Sequence, residues 1–229
     1  MKFVDRRREL RALNLFYETP RAGLMILYGR RRVGKTSLLT HWLDRRFGLE
    51  ESTTPSSALY WMATTHSADY QLRDFSQSLV RLDSRNSAAL APNFSFASWE
   101  AAFDYIADLA HHRPPNQPLV IIIDEFTYLA QSDPALVSVL QRAWDHRLSR
   151  EDNVRLIISG SLIGVMEKQV LSAQSPMYGR ASVILKLPAL EFGTLREIFP
   201  GWSPAERVAA FAVCGGIPAY LDLFTRAKN

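Results

Sequence analysis

Gly29, Gly34, Lys35 and Thr36 stand in the spacing G-x-x-x-x-G-K-T, directly after the apolar run Leu24-Met-Ile-Leu-Tyr28. That order suits phosphate binding. A strand delivers the loop, glycines let backbone N–H groups wrap phosphate oxygens, and a helix N-terminus turns its partial positive charge toward them. The expected contacts are Gly29, Arg30, Arg31, Arg32, Val33, Gly34, Lys35, Thr36 and Ser37, with Lys35 reaching the β and γ phosphates and the Thr36 hydroxyl serving Mg²⁺. A second pair, Asp124 and Glu125, closes the run Leu119-Val-Ile-Ile-Ile123. Asp124 is expected to hold Mg²⁺, directly or through water, and Glu125 to polarise an attacking water. The competing reading of the two carboxylates is a solvated strand end or an acidic cap.

These groups need elements to carry them. Apolar runs at 24–28, 58–63, 119–125, 154–158 and 181–187 read as strands. Helical spacing appears at 5–17, 68–82 and 96–110, in a helix capped by Ser132, Asp133 and Pro134 and reaching about 148, and at 162–171 and 204–213. After the loop, Leu38, Leu39, Trp42 and Leu43 fall on one helical face. The alternation implies an α/β three-layer sandwich with a mostly parallel sheet and right-handed crossovers. Ligands then bind at the carboxyl ends of the strands, where both motifs lie. Beyond Pro188 the pattern changes, so residues 1–188 are expected to form the phosphate-loop domain and residues 189–229 the start of a helical lid domain.

A chain of 229 residues can hold one large domain, or one domain and the beginning of a second. Hydrophobic residues at 47% and charged residues at 22% exclude a disordered chain. No apolar run approaches the roughly 20 residues a membrane span requires. The N-terminus has basic residues but no apolar segment after them, and Cys214 is the single cysteine, so the expected compartment is the cytoplasm. The net charge of +4 is compatible with nucleic acid. It is weak support, because arginines cluster in the phosphate loop and the N-terminal segment, where other roles exist.

Several residues carry two readings. Ser159 or Ser161 could contact the γ phosphate or orient water, or could cap the turn after a strand. Arg180 could stabilise charge on a transferring phosphoryl group, within one chain or across a homo-oligomer, or could be an ordinary surface arginine. His111 and His112 are adjacent and diverge, which suits a solvated loop rather than a metal. The strand between the two nucleotide motifs and the Glu beside Asp124 favour ATP, and no Asn-Lys-x-Asp segment supports guanine.

The chain resembles the archaeal-type ATPase branch of the STAND NTPases, relatives of AAA+ proteins. Phe3-Val-Asp-Arg-Arg-Arg-Glu9 looks like that group's N-terminal h-h-G-R-E-x-E motif, departing at Asp5, usually Gly, and at Arg7, usually an acid. The phosphate loop and Ile123-Asp-Glu-Phe126 match its nucleotide motifs, while Ser159-Gly-Ser-Leu-Ile-Gly164, Pro176-Met-Tyr-Gly-Arg180 and Gly216-Ile-Pro218 are similar to its later segments. The resemblance implies an ATP- and Mg²⁺-dependent switch or slow ATPase, in which Arg6 serves the nucleotide and a lid bearing Pro218 closes over base and phosphates. The alternative it leaves is a nucleic-acid-associated ATPase motor or a partner of a nuclease domain.

Overall fold

A computed structural model describes residues 2–48, 57–83, 91, 93–114 and 116–226. Each expected strand forms: β1 (Gly23–Tyr28), β2 (Ala58–Met62), β3 (Leu119–Asp124), β4 (Val154–Gly160) and β5 (Val183–Lys186). They make one five-stranded sheet in the order β2-β3-β4-β1-β5, and every pairing is parallel. Parallel neighbours need crossovers, and the helices supply them on both faces.

The alternation of side chains along each strand decides which helices it meets. Leu24, Ile26, Ile121, Ile123, Leu156 and Ile158 point into one core with Phe75, Phe103, Phe126, Leu140 and Trp144. Those partners come from α3 (Ala68–Leu82), α4 (Trp99–His111), α5 (Phe126–Ser132) and α6 (Leu136–His146). Met25, Leu27, Val120, Ile122 and Ile157 point the other way, onto Leu13, Phe16, Leu38, Leu39 and Trp42 of α1 (Arg7–Glu18) and α2 (Lys35–Phe47). Each such buried aliphatic chain contributes about 1.5–3 kcal/mol. The result is the expected three-layer α/β sandwich.

Boundaries differ where local chemistry overrides periodicity. Helix α4 starts at Trp99 rather than at 96, because the Ser98 side chain accepts from the Ala101 N–H and caps it. Phe96 stays outside and packs on Tyr105. The helix expected to be capped at 132–134 and to reach about 148 forms as α6 (Leu136–His146) without a side-chain cap: Ser132 ends α5 instead, and a 3-10 turn covers Leu148–Arg150. Helix α7 (Ile163–Val165) runs into a π-helical turn at Met166–Leu171. The polar connection expected at 48–57 lies mostly outside the described residues.

After β5 come α8 (Leu195–Ile198), α9 (Pro204–Cys214) and α10 (Pro218–Arg226). Leu190, Leu195, Phe199, Cys214 and Leu221 share a small third cluster there, which also receives Val4. Ser203 and Glu206 form a capping box at the start of α9. No helix among the described residues is long and apolar enough to cross a membrane.

Candidate functional site

The carboxyl ends of β3, β4 and β1 lie side by side in the middle of the sheet, so three separated stretches of sequence meet there. From β1 the chain enters the loop of residues 29–34, in which Arg32 and Gly34 have positive φ of 66° and 99°. A turn of this kind points successive N–H groups inward, the geometry of an anion cradle. Helix α2 then begins at Lys35.

Lys35 is 5% exposed, and its Nζ donates to the Gly29 carbonyl at 3.2 Å and the Arg30 carbonyl at 3.4 Å. Burial lowers its pKa; Glu125 and Asp124 oppose that shift and Arg31 adds to it. Two neutral carbonyls are modest partners for a buried ammonium. A phosphate oxyanion satisfies it far better.

Asp124, at the end of β3, is fully buried. Its Oδ2 accepts from the Thr36 hydroxyl and from the Tyr60 hydroxyl, each at 2.7 Å, and its Oδ1 accepts from the Glu125 N–H at 2.9 Å. Burial, followed by the Asp124 carboxylate, raises the Tyr60 pKa, so this hydroxyl remains a donor. A hydroxyl and a carboxylate oxygen in mutual contact are the donor set a hard dication selects, so Thr36 and Asp124 fit Mg²⁺.

Glu125 adopts a left-handed conformation with φ 54°, a backbone state that side chains other than glycine and asparagine seldom hold. The turn directs its carboxylate to Ser161, whose hydroxyl donates to Glu125 Oε2 at 2.7 Å. Ser161 is thus the serine that meets the acid. Ser159 is fully buried and lies beside Leu27 in the sheet; its Oγ, like that of Thr127, has no hydrogen-bond partner among the described residues.

A cavity of about 340 Å³ opens over these groups. Arg32, Lys35, Thr36 and Glu125 line it, together with Pro218 and Asp222 of α10. A smaller cavity of about 100 Å³ adjoins it through Gly34, Ser37 and Pro218, with Phe3, Val4 and Leu190 as apolar walls. Arg6 holds this corner together: it donates to the carbonyls of Val33 at 3.1 Å and Pro188 at 2.8 Å, and pairs with Glu9 at 3.1 Å. Its own φ is 65° and that of Asp5 is 59°. Asp5, where the resembling family usually has Gly, therefore occupies a glycine-like conformation, and its carboxylate accepts from the Thr194 hydroxyl at 2.8 Å.

Arg180 is placed elsewhere. Its guanidinium makes a two-pronged contact with Asp145 of α6, both distances 2.7 Å, and donates to the Pro176 carbonyl at 2.6 Å. That pairing holds the Asp145 carboxyl below the usual range. Arg180 does not line the cavity over the loop.

A family described as an ATPase domain predominantly from Archaea matches residues 3–224. The chain belongs to this archaeal ATPase family. An uncharacterized protein of Methanocaldococcus jannaschii is 33% identical over 222 residues, which cover 96% of this chain and 43% of that protein. The chain thus spans less than half the length of this relative. Among solved structures, the Walker-type ATPase of Pyrococcus abyssi superposes with a TM-score of 0.61 at 21% identity, covering 96% of this chain and 65% of that one. A STAND protein with a tetratricopeptide repeat sensor from Pyrococcus horikoshii superposes with a TM-score of 0.56 at 21% identity, covering 96% and 29%. These likenesses agree with the archaeal phosphate-loop ATPase fold.

Tyr60, Asp222 and Tyr220 escape a reading of the sequence alone. Tyr60 sits in a strand whose other members are apolar, and its contact with Asp124 joins residues 64 positions apart. Tyr220, over which Arg32 lies at 5.5 Å, belongs to a helix that the glycines and proline before it obscure.

Proposed function

We propose that this archaeal-type ATPase domain binds Mg-ATP over the phosphate loop and hydrolyses it slowly, as a nucleotide-dependent switch. The observation that carries the reading is the convergence of Thr36, Asp124 and Glu125. The first two share a 2.7 Å contact, and the third is held 2.7 Å from Ser161 at the same cavity.

In this reading the loop N–H groups and Lys35 bind the β and γ phosphates, and the apolar walls around Phe3, Val4 and Leu190 receive the base. Thr36 and Asp124 would hold Mg²⁺, which when bound supplies charge neutralisation across the phosphates. Glu125 accepts a proton from the attacking water, and Ser161 keeps the carboxylate aimed. Removal of the Ser161 hydroxyl frees the acid to turn. Arg6 serves the nucleotide indirectly, by fixing the Val33 carbonyl and so the loop.

The switch element is the segment after Pro188, proposed as a lid. Pro218 and Asp222 face the phosphate cavity, and Arg32 of the loop lies against Tyr220. A change in phosphate occupancy alters those contacts and therefore the placement of α10. Calorimetry of Mg-ATP binding tests the assignment. Lys35→Ala should weaken binding by about 1.5–3 kcal/mol, the scale of a charge-assisted hydrogen bond. Equal affinity in variant and wild type contradicts it.

A further inference from the structure

A second basic feature shares no lining residue with the nucleotide cavities. Arg7 and Arg11 of α1 and Arg45 and Arg46 of α2 line a groove of about 470 Å³ together with Leu10, Asn14 and Trp42. The four arginines are exposed, and among the described residues no acidic side chain lines the groove. Arg46 is anchored, lying over the Tyr17 ring at 4.2 Å and pairing with Glu18 at 3.4 Å. Among the described residues, no carboxylate pairs with Arg7, Arg11 or Arg45.

We infer that this groove binds the phosphodiester backbone of a nucleic acid. Arg7, Arg11 and Arg45, with no carboxylate partner among the described residues, raise the positive potential of this depression beyond the paired Arg46, and an anionic occupant offsets it. Arg7 and Arg11 are one helical turn apart, a rise of about 6 Å, so they form a row of cations facing a second row on α2. Guanidinium groups take phosphate oxygens with two parallel hydrogen bonds. Asn14 adds one more donor. Trp42 Nε1 donates to Asn14 Oδ1 at 2.9 Å, which occupies the amide oxygen and leaves the amide nitrogen as a donor.

The charged and polar groups of the groove therefore offer donors. A phosphodiester backbone brings acceptors, which match. An acidic peptide also brings acceptors, but with them backbone N–H donors, which guanidinium groups cannot accept. The groove offers no set of base-edge contacts, so the binding is expected to be sequence-independent.

The test is fluorescence anisotropy with labelled single-stranded DNA, duplex DNA and RNA oligonucleotides, in the absence of ATP and across a salt series. The variant is the triple substitution Arg7→Gln, Arg11→Gln, Arg45→Gln, which spares the anchored Arg46. Wild type should bind at least one of the three nucleic acids. The triple variant should bind at least tenfold more weakly, with a salt slope shallower by about 0.7 to 0.9 for each phosphate that is no longer neutralised. Its melting temperature and Mg-ATP affinity should be unchanged. Arg11→Gln alone should lower the slope by about one such step, which serves if the triple variant folds poorly. Affinity and salt slope unaltered in the variants would overturn the inference. So would abolition of nucleic-acid binding by Lys35→Ala, which would make the phosphate loop the anion site. Polyglutamate bound as tightly as the oligonucleotides, and weakened equally in the triple variant, would replace nucleic acid by an acidic protein.

Discussion

Thr36 Oγ1 donates to Asp124 Oδ2 across 2.7 Å, joining the first turn of α2 to the end of β3 over 88 positions of sequence. Tyr60 donates to that same oxygen at the same distance. The carboxylate is consequently oriented from two sides before any ligand is considered. Tyr60→Phe keeps the ring and removes one charge-assisted bond from a buried acid. It should cost about 1.5–3 kcal/mol of stability. It should also raise the Mg²⁺ concentration needed for nucleotide binding roughly tenfold, as loss of a group that orients a metal ligand does. Thermal melting and Mg²⁺ titration of nucleotide binding measure the two effects; an unchanged Mg²⁺ requirement would leave Tyr60 a packing residue only.

Arg180 and Asp145 form a pair that ties the 176–180 turn to α6. Arg180→Ala and Asp145→Asn should lower the melting temperature alike and leave hydrolysis per folded molecule intact. Because Arg180 depresses the Asp145 pKa, the pair's contribution is present above the ordinary carboxylate range, about 4, and is lost as pH falls through the depressed value. Asp145→Asn should abolish that part of the acid limb. A loss of turnover near 10³-fold in Arg180→Ala alone would instead return this arginine to phosphoryl chemistry.

Gly216 has φ 73°, and a Cβ there would collide with the Leu190 carbonyl, while its own carbonyl accepts from the Leu190 N–H at 2.9 Å. Gly216→Ala should therefore destabilise by about 2 kcal/mol or more, combining left-handed strain of about 1–2 kcal/mol with a disturbed hydrogen bond. It should also speed nucleotide release, since Pro218 two residues on lines both cavities. Chemical denaturation and stopped-flow displacement read the two consequences. A variant with wild-type release would separate this turn from the nucleotide.

Burial lowers the Lys35 pKa, so this group makes the folded chain more stable as pH rises through the lowered value toward the ordinary lysine range. A bound polyphosphate favours the charged ammonium and moves that value up again. Mg-ATP binding at a pH between the lowered and the restored value should therefore take up protons, visible as a buffer-dependent calorimetric heat. Lys35→Met should abolish the uptake; uptake of the same size in the variant would place the linked group elsewhere.

The strands and the phosphate loop were legible because buried parallel strands read as unbroken apolar runs and the loop has a fixed order of glycines, lysine and threonine. Helix α5 was not, because its seven residues follow Glu125 without a polar cap, and that residue starts the helix by a left-handed turn instead. Helix α10 was hidden by Pro218, which reads as a terminator but also suits a first helical position. Within the site, Glu125 and Ser161 were each identifiable, yet their contact was not, since it depends on β3 and β4 being neighbours. The groove between α1 and α2 was illegible for the same reason: Arg7 and Arg45 meet only after two helices pack.

Glu125 decides between an enzyme and an inert nucleotide-binding domain. Its carboxylate is proposed to act on the attacking water and not on the bound nucleotide, so Glu125→Gln should separate binding from chemistry. Single-turnover hydrolysis of radiolabelled ATP, measured beside calorimetric binding on the same preparation freed of contaminating ATPase, makes the comparison. The account predicts wild-type Mg-ATP affinity in Glu125→Gln with hydrolysis reduced by about 10²-fold or more. Hydrolysis in Glu125→Gln equal to a wild-type rate well above background would contradict it.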